Sequence, residues 1–144
     1  MPDILRALDD LRRTRWYSGQ ITGIEPLPSR APTYTEPDPP LPVPLADLIE
    51  KRGIPKLYSH QVELLKHARS GRNVIITTAT ASGKTLAFNL PVFETMLESR
   101  SATALYLYPM KAVTQDQLKV LKEFEQGLGL ELNPAVYDLS LIHI

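Results

Sequence analysis

The chain has 144 residues, 16 basic against 16 acidic side chains, 43% hydrophobic and 22% charged content, and no cysteine. That suffices for one domain with a core; it excludes a disulfide framework or thiolate metal site, and it leaves any nucleic-acid contact to a local patch or a partner domain. The N-terminus lacks the basic-then-apolar order of a signal peptide and no apolar run approaches spanning length, which predicts a cytoplasmic protein with no membrane partner.

Ile4, Leu5, Leu8 and Leu11 recur at helical spacing among charges, so residues 3–14 are predicted as an amphipathic helix within an N-terminal extension, 1–25. Residues 26–44 hold eight of the 13 prolines. Such density forbids a regular ladder and gives a linker, or a strap laid over a domain; a ligand for an SH3-type module is the lesser alternative. A domain is then expected over 45–138. Leu45, Leu48 and Ile49 form one side of a short helix ended by Gly53, and Ser59 is placed to cap a second helix running to Gly71.

Residues 73–77, Asn-Val-Ile-Ile-Thr, read as a buried strand. A helix from Thr85 follows, bent at Pro91 but continuing through Val92, Phe93, Met96 and Leu97 to about Ser99. Residues 104–108 read as a second strand, and Leu118, Leu121, Phe124 and Leu128 stripe a long helix ending at Gly127 or Gly129. A last short strand is expected at 135–137. Strands alternating with helices predict an α/β parallel sheet, with ligands outside the carboxyl ends of its strands.

Between the first strand and its helix lie Thr78, Ala79, Thr80, Ala81, Ser82, Gly83, Lys84 and Thr85. A small-residue loop closed by Gly-Lys-Thr binds phosphate through successive backbone N–H groups. The lysine adds a point charge near the β and γ phosphates, and the last hydroxyl takes Mg²⁺. The strict P-loop pattern has glycine where Thr78 stands. Strand, loop and helix in that order nevertheless put the phosphates of a nucleoside triphosphate at a helix N-terminus, the alternative being a surface Gly-Lys-Thr turn with no ligand. Two other clusters stand out. The amide of Gln61, in Leu57-Tyr58-Ser59-His60-Gln61, matches the N6 and N7 edge of adenine and equally suits a cap at a helix start. Tyr58 suits base stacking or core packing, and His60 a structural role. Pro109 to Gln117, at the end of the second strand, offers helix-start amides with Lys111 and Gln115 to a nucleic-acid backbone, and Lys111 equally suits an exposed lysine at a helix start.

Together these residues resemble a superfamily 2 DEAD/DEAH-box helicase entering its first RecA-like domain. Tyr58 to Gln61 are similar to its Q-motif region, 78–85 to motif I and 109–117 to motif Ia. The similarity is greatest to the DNA-repair helicases of the Hrq1 and MrfA type, and it runs from about Leu45 to Asp138. It implies ATP and Mg²⁺ as cofactors, Lys84 as a catalytic residue, Thr85 on the metal, and Gln61 at the adenine. It also implies Pro109, Lys111 and Gln115 along one strand of DNA in preference to RNA, with a second RecA-like domain as partner. In the resembled fold the two strands are separated in the sheet by strands that come later in sequence, so an incomplete P-loop sheet is expected. The carboxylate pair and the arginine that hydrolysis requires have no counterpart in these residues.

Residues 139–144, Leu-Ser-Leu-Ile-His-Ile, match one frame of the transposase adaptor CTGTCTCTTATACACATC and are expected to be a sequencing-library remnant. The chain is accordingly expected to be an N-terminal fragment that is inactive alone. A P-loop kinase, another P-loop NTPase and a non-catalytic interaction segment are the alternatives, the kinase disfavoured because 109–138 contain no arginine.

Overall fold

The computed structural model describes residues 3–25 and 31–137, and these divide into two units, the second beginning at Pro32. The expectations for 139–144 and for the first prolines of the strap lie outside the described residues. In the first unit, α1 (Ile4–Arg12) starts where the Asp3 carboxylate accepts from the N–H groups of Leu5 and Arg6. None of its residues is buried, and Ile4 and Leu5 lie exposed.

Four helices build the second unit: α2 (Val43–Lys51), α3 (Ser59–Arg69), α4 (Lys84–Glu98) and α5 (Lys111–Leu128). Pairs α3 with α4 and α2 with α5 pack together. Their shared core holds Leu45, Ile49, Leu65, Leu90, Phe93 and Phe124, with the Phe93 and Phe124 rings stacked at 4.4 Å. Fully burying each such side chain contributes about 1.5–3 kcal/mol. Arg52 closes the α2–α5 seam, its guanidinium 4.6 Å from the Phe124 ring centre and paired with Glu123.

Helix boundaries agree with the sequence except in their caps. Ser59 is the first residue of α3, and the cap position belongs to Tyr58, whose N–H is taken by the Gln61 side chain reaching back at 2.8 Å. Gly127 does not stop α5. It lies inside the helix against Leu48, where a Cβ would come within 2.5 Å of the leucine Cδ1, and Gly129 is the left-handed C-cap with φ of 62°. Pro91 sits within α4, which runs unbroken to Glu98.

The three expected strands are the correction. Residues 73–77, 104–108 and 135–137 lie outside any helix or strand, and among the described residues no ladder pairs them. A strand exists only through a neighbour that accepts and donates its backbone bonds. No such neighbour lies beside them among the described residues, and Ile75, Leu105 and Leu107 are 91%, 85% and 83% exposed.

From Pro32 onward the strap is part of the second unit. Thr35 N–H donates to Leu57 O at 3.2 Å and Ser59 N–H to Thr33 O at 2.9 Å, so Tyr34 and Tyr58 form one antiparallel bridge. Further along, Arg69 donates to the carbonyls of Pro39 and Pro40 while its Nε holds Glu94 at 3.0 Å. Glu94 is 7% exposed, and its hydrogen bond pushes the Arg69 guanidinium further up its range. One arginine thereby joins the strap, α3 and α4. The compact unit thus starts about a dozen residues earlier than the sequence places it.

Candidate nucleotide site

Residues 78–83 turn back on themselves before α4. Ala81 and Gly83 both take positive φ, 58° and 78°, which bends the chain so that α4 opens at Lys84. The first N–H groups of α4 have no carbonyl one turn earlier to bind, and they supply the positive end of the helix. Lys84 Nζ lies within the turn, donating to Thr78 O at 2.8 Å and Ala79 O at 2.6 Å, with the hydroxyls of Thr78 and Ser82 each 3.3 Å away. Thr78, the departure from the strict motif, contributes its hydroxyl to Ser82 and its carbonyl to Lys84. Thr80 is exposed in the loop and Thr85 half-buried at the helix start.

The Q-like cluster grips this loop from the side. His60 Nε2 lies 2.9 Å from Ser82 O, and Gln61 Nε2 donates to Gly83 O at 3.0 Å. Gln61 is only 2% exposed, and its amide is divided between two backbones, Tyr58 N–H on one side and Gly83 O on the other. The glycine at 83 is required by this contact as well: a Cβ there would meet Gln61 Nε2 at 2.5 Å. The ring of Tyr58 lies between those of Tyr34 at 5.2 Å and His60 at 5.5 Å, all nearly parallel.

Beside the loop opens a cleft of about 330 Å³ whose lining includes Tyr34, Lys56, Tyr58, Gln61, Ala81 and Gly83. Aromatic walls with few polar groups suit a planar base. Tyr34 was missed by sequence reasoning, because a tyrosine in a proline-rich run carries no local sign that it meets Tyr58. His60 carried only the weak signal of its neighbour Gln61.

Pro109, Lys111 and Gln115 are all exposed where residues 104–110 lead into α5, away from the Gln61 cluster in sequence but brought onto the same unit. Among the described residues no three His, Asp or Glu side chains gather as a metal site. The loop's small residues, its inward lysine and the Thr85 hydroxyl fit a nucleotide whose phosphates would bring most of the ligands for a divalent ion.

A model of the DEAD/DEAH box helicase family matches residues 58–141, more than half of the chain. The chain belongs to the DEAD/DEAH box helicases. This helicase segment is 33% identical over 136 residues to the ATP-dependent helicase HRQ1 of Saccharomyces cerevisiae, covering 94% of the segment and 12% of that protein. It is 40% identical over 90 residues to the uncharacterized ATP-dependent helicase YprA of Bacillus subtilis, covering 62% and 12%. Among solved structures, the helicase MrfA bound to DNA and AMPPNP superposes with a TM-score of 0.74 at 31% identity, over 94% of the segment and 18% of that chain. MrfA bound to DNA alone gives 0.72 at 34% identity, over 76% and 15%. The segment therefore spans about an eighth of the length of these curated relatives, and its helices and loops follow a RecA-like helicase fold. Among its described residues, no helix is long and apolar enough to cross a membrane.

Proposed function

We propose that this chain is the N-terminal part of the first RecA-like domain of an ATP-dependent DNA helicase, holding the phosphate loop and the start of the strand track. The observation that carries the proposal is the clamp of His60 and Gln61 on the Ser82 and Gly83 carbonyls, with Lys84 turned into the same loop. Such a clamp fixes where phosphate can sit before nucleotide arrives, which reduces the ordering cost of binding.

In this assignment ATP lies with its phosphates across the start of α4, and Lys84 exchanges the carbonyls of Thr78 and Ala79 for phosphate oxygens. Residues 79–83 cradle the phosphates through backbone N–H groups. Thr85 would hold Mg²⁺, which supplies charge neutralisation of the phosphates when bound. The base enters the cleft between the Tyr34 and Tyr58 side and the loop. Gln61 serves the base only through what its two backbone contacts leave, one N–H and one lone pair. Pro109, Lys111 and Gln115 lie along one DNA strand, DNA being favoured by the DNA-bound relative. The carboxylates for hydrolysis and the arginine of a second RecA-like domain are assigned in this reading to other parts of the helicase.

Two measurements test this. Genomic DNA read past codon 138 is expected to continue in frame into a carboxylate motif and a second RecA-like domain; an immediate stop overturns the proposal. In the encoded full-length protein, Lys84→Ala is expected to weaken binding of a fluorescent ATP analogue by about 30-fold, the scale of a charge-assisted contact of ~2 kcal/mol. Unchanged binding would remove the loop from the function.

A further inference from the structure

Asn89 is the one buried polar side chain of α4 that the nucleotide loop does not explain and that has no ionic partner. It is 1% exposed, next to Leu90 and one turn before Phe93, both 0%. An amide placed there without a partner costs several kcal/mol, about what a leucine of similar volume would avoid. Its Oδ1 accepts the Tyr106 hydroxyl at 2.7 Å. The Tyr106 ring leans on Phe88 at 6.1 Å and stacks on Tyr108, the residue immediately before Pro109.

This bond also settles an otherwise open choice of register. Residues 103–108 have no backbone ladder among the described residues, so side chains alone place them on α4. Alternation puts Tyr106 and Tyr108 on one face and Leu105 and Leu107 on the other. Apolar burial by itself favours turning the leucines inward, a slip of one residue. The observed order is the reverse, with both leucines exposed and Tyr106 against the helix. The hydroxyl bond to Asn89 is a directional contact that this order makes and the slipped order would lose. The phenol of Tyr106 is a donor across neutral pH at its ordinary value, and burial pushes that value further up.

We infer that Asn89 and Tyr106 are positioning residues that hold the strand track at 109–115 in register with the nucleotide loop at 78–85, so that a bound strand sets the rate of ATP turnover. The inference rests on the helicase assignment above. The pair joins the helix that begins at Lys84 to the segment that ends at Pro109, and a one-residue slip there moves the track by about 3.3 Å.

The test uses the full-length protein with Tyr106→Phe and with the double replacement Asn89→Leu, Tyr106→Phe. The single variant strands a buried acceptor and lowers stability. The double variant removes both partners together and keeps the fold. For the double variant, KM for ATP and affinity for oligo-dT are expected within about twofold of wild type, with an unchanged Tm. Stimulation of kcat by oligo-dT is expected to fall about fivefold or more, in the range of measured coupling energies. Full stimulation in the double variant overturns the inference, leaving the pair as core packing. A wild-type protein whose ATP turnover ignores DNA overturns the helicase assignment itself, which separates the two failures.

Discussion

The loop at 78–85 and the segment that leads into it, 73–77, are adjacent in sequence and opposite in support. The loop is held at Ser82 and Gly83 by two side chains of α3, at Thr78 and Ala79 by Lys84, and by the helix it starts. The segment before it has no ladder among the described residues and leaves Ile75 almost fully in solvent. The difference separates two kinds of structure. Helix, cap and loop contacts close over short or already paired distances. A parallel strand is defined wholly by remote partners. The loop before α4 is therefore preassembled, while among the described residues the sheet is not.

Amide exchange sharpens that contrast most. In the 144-residue chain, N–H groups of residues 74–77 and 104–107 are expected to exchange at least about a thousandfold faster than those in the middle of α4, while the full-length protein protects both. Equal protection in the short chain would break the comparison. Next comes the clasp of the strap. Arg69→Ala leaves Glu94 buried without its partner, and a loss of about 3 kcal/mol is expected in urea unfolding. Gly83→Ala attacks the loop alone, forcing a side chain onto φ of 78° and against Gln61. It should cost about 1–2 kcal/mol and weaken nucleotide binding more than it lowers Tm. The smallest effect is a pH response. Burial raises the pKa of Tyr106 and Tyr108 in the folded state, so the folded chain keeps protons that the unfolded chain releases. Stability is then expected to be level to about pH 10, the ordinary tyrosine value, and to fall above it, with a shallower fall in Tyr106→Phe.

What the sequence disclosed follows the same division. All five helices among the described residues were legible because apolar spacing and end residues are local, and the turn at 78–83 was marked by its run of small residues. Tyr34 was not, since its meeting with Tyr58 depends on how a proline-rich strap crosses the domain. The role of Gly83 was only half visible, for the sequence shows a small residue in a tight loop and hides the Gln61 amide that fills the space beside it. Ser59 looked like a cap because serine usually is one, but Gln61 reaching back to Tyr58 displaced the cap by a residue. At 73–77 and 104–108, β-branched and aromatic composition reported a fitness for strands rather than strands themselves.

The seam of α2 and α5, with Leu48 seated on Gly127, sets a timetable for synthesis. Leu45 and Ile49 emerge early, yet the helix they complete their core with comes last among the described elements. At ~5–20 residues per second the ribosome needs roughly 4–15 s to pass from Lys51 to Leu128. During that interval the apolar side of α2 has nothing of this seam to meet. The face of α2 that meets Gly127 and Phe124 therefore stays uncovered by α5 until the last of the described helices has been made, although Leu57 and Leu65 of the same core emerge soon after it.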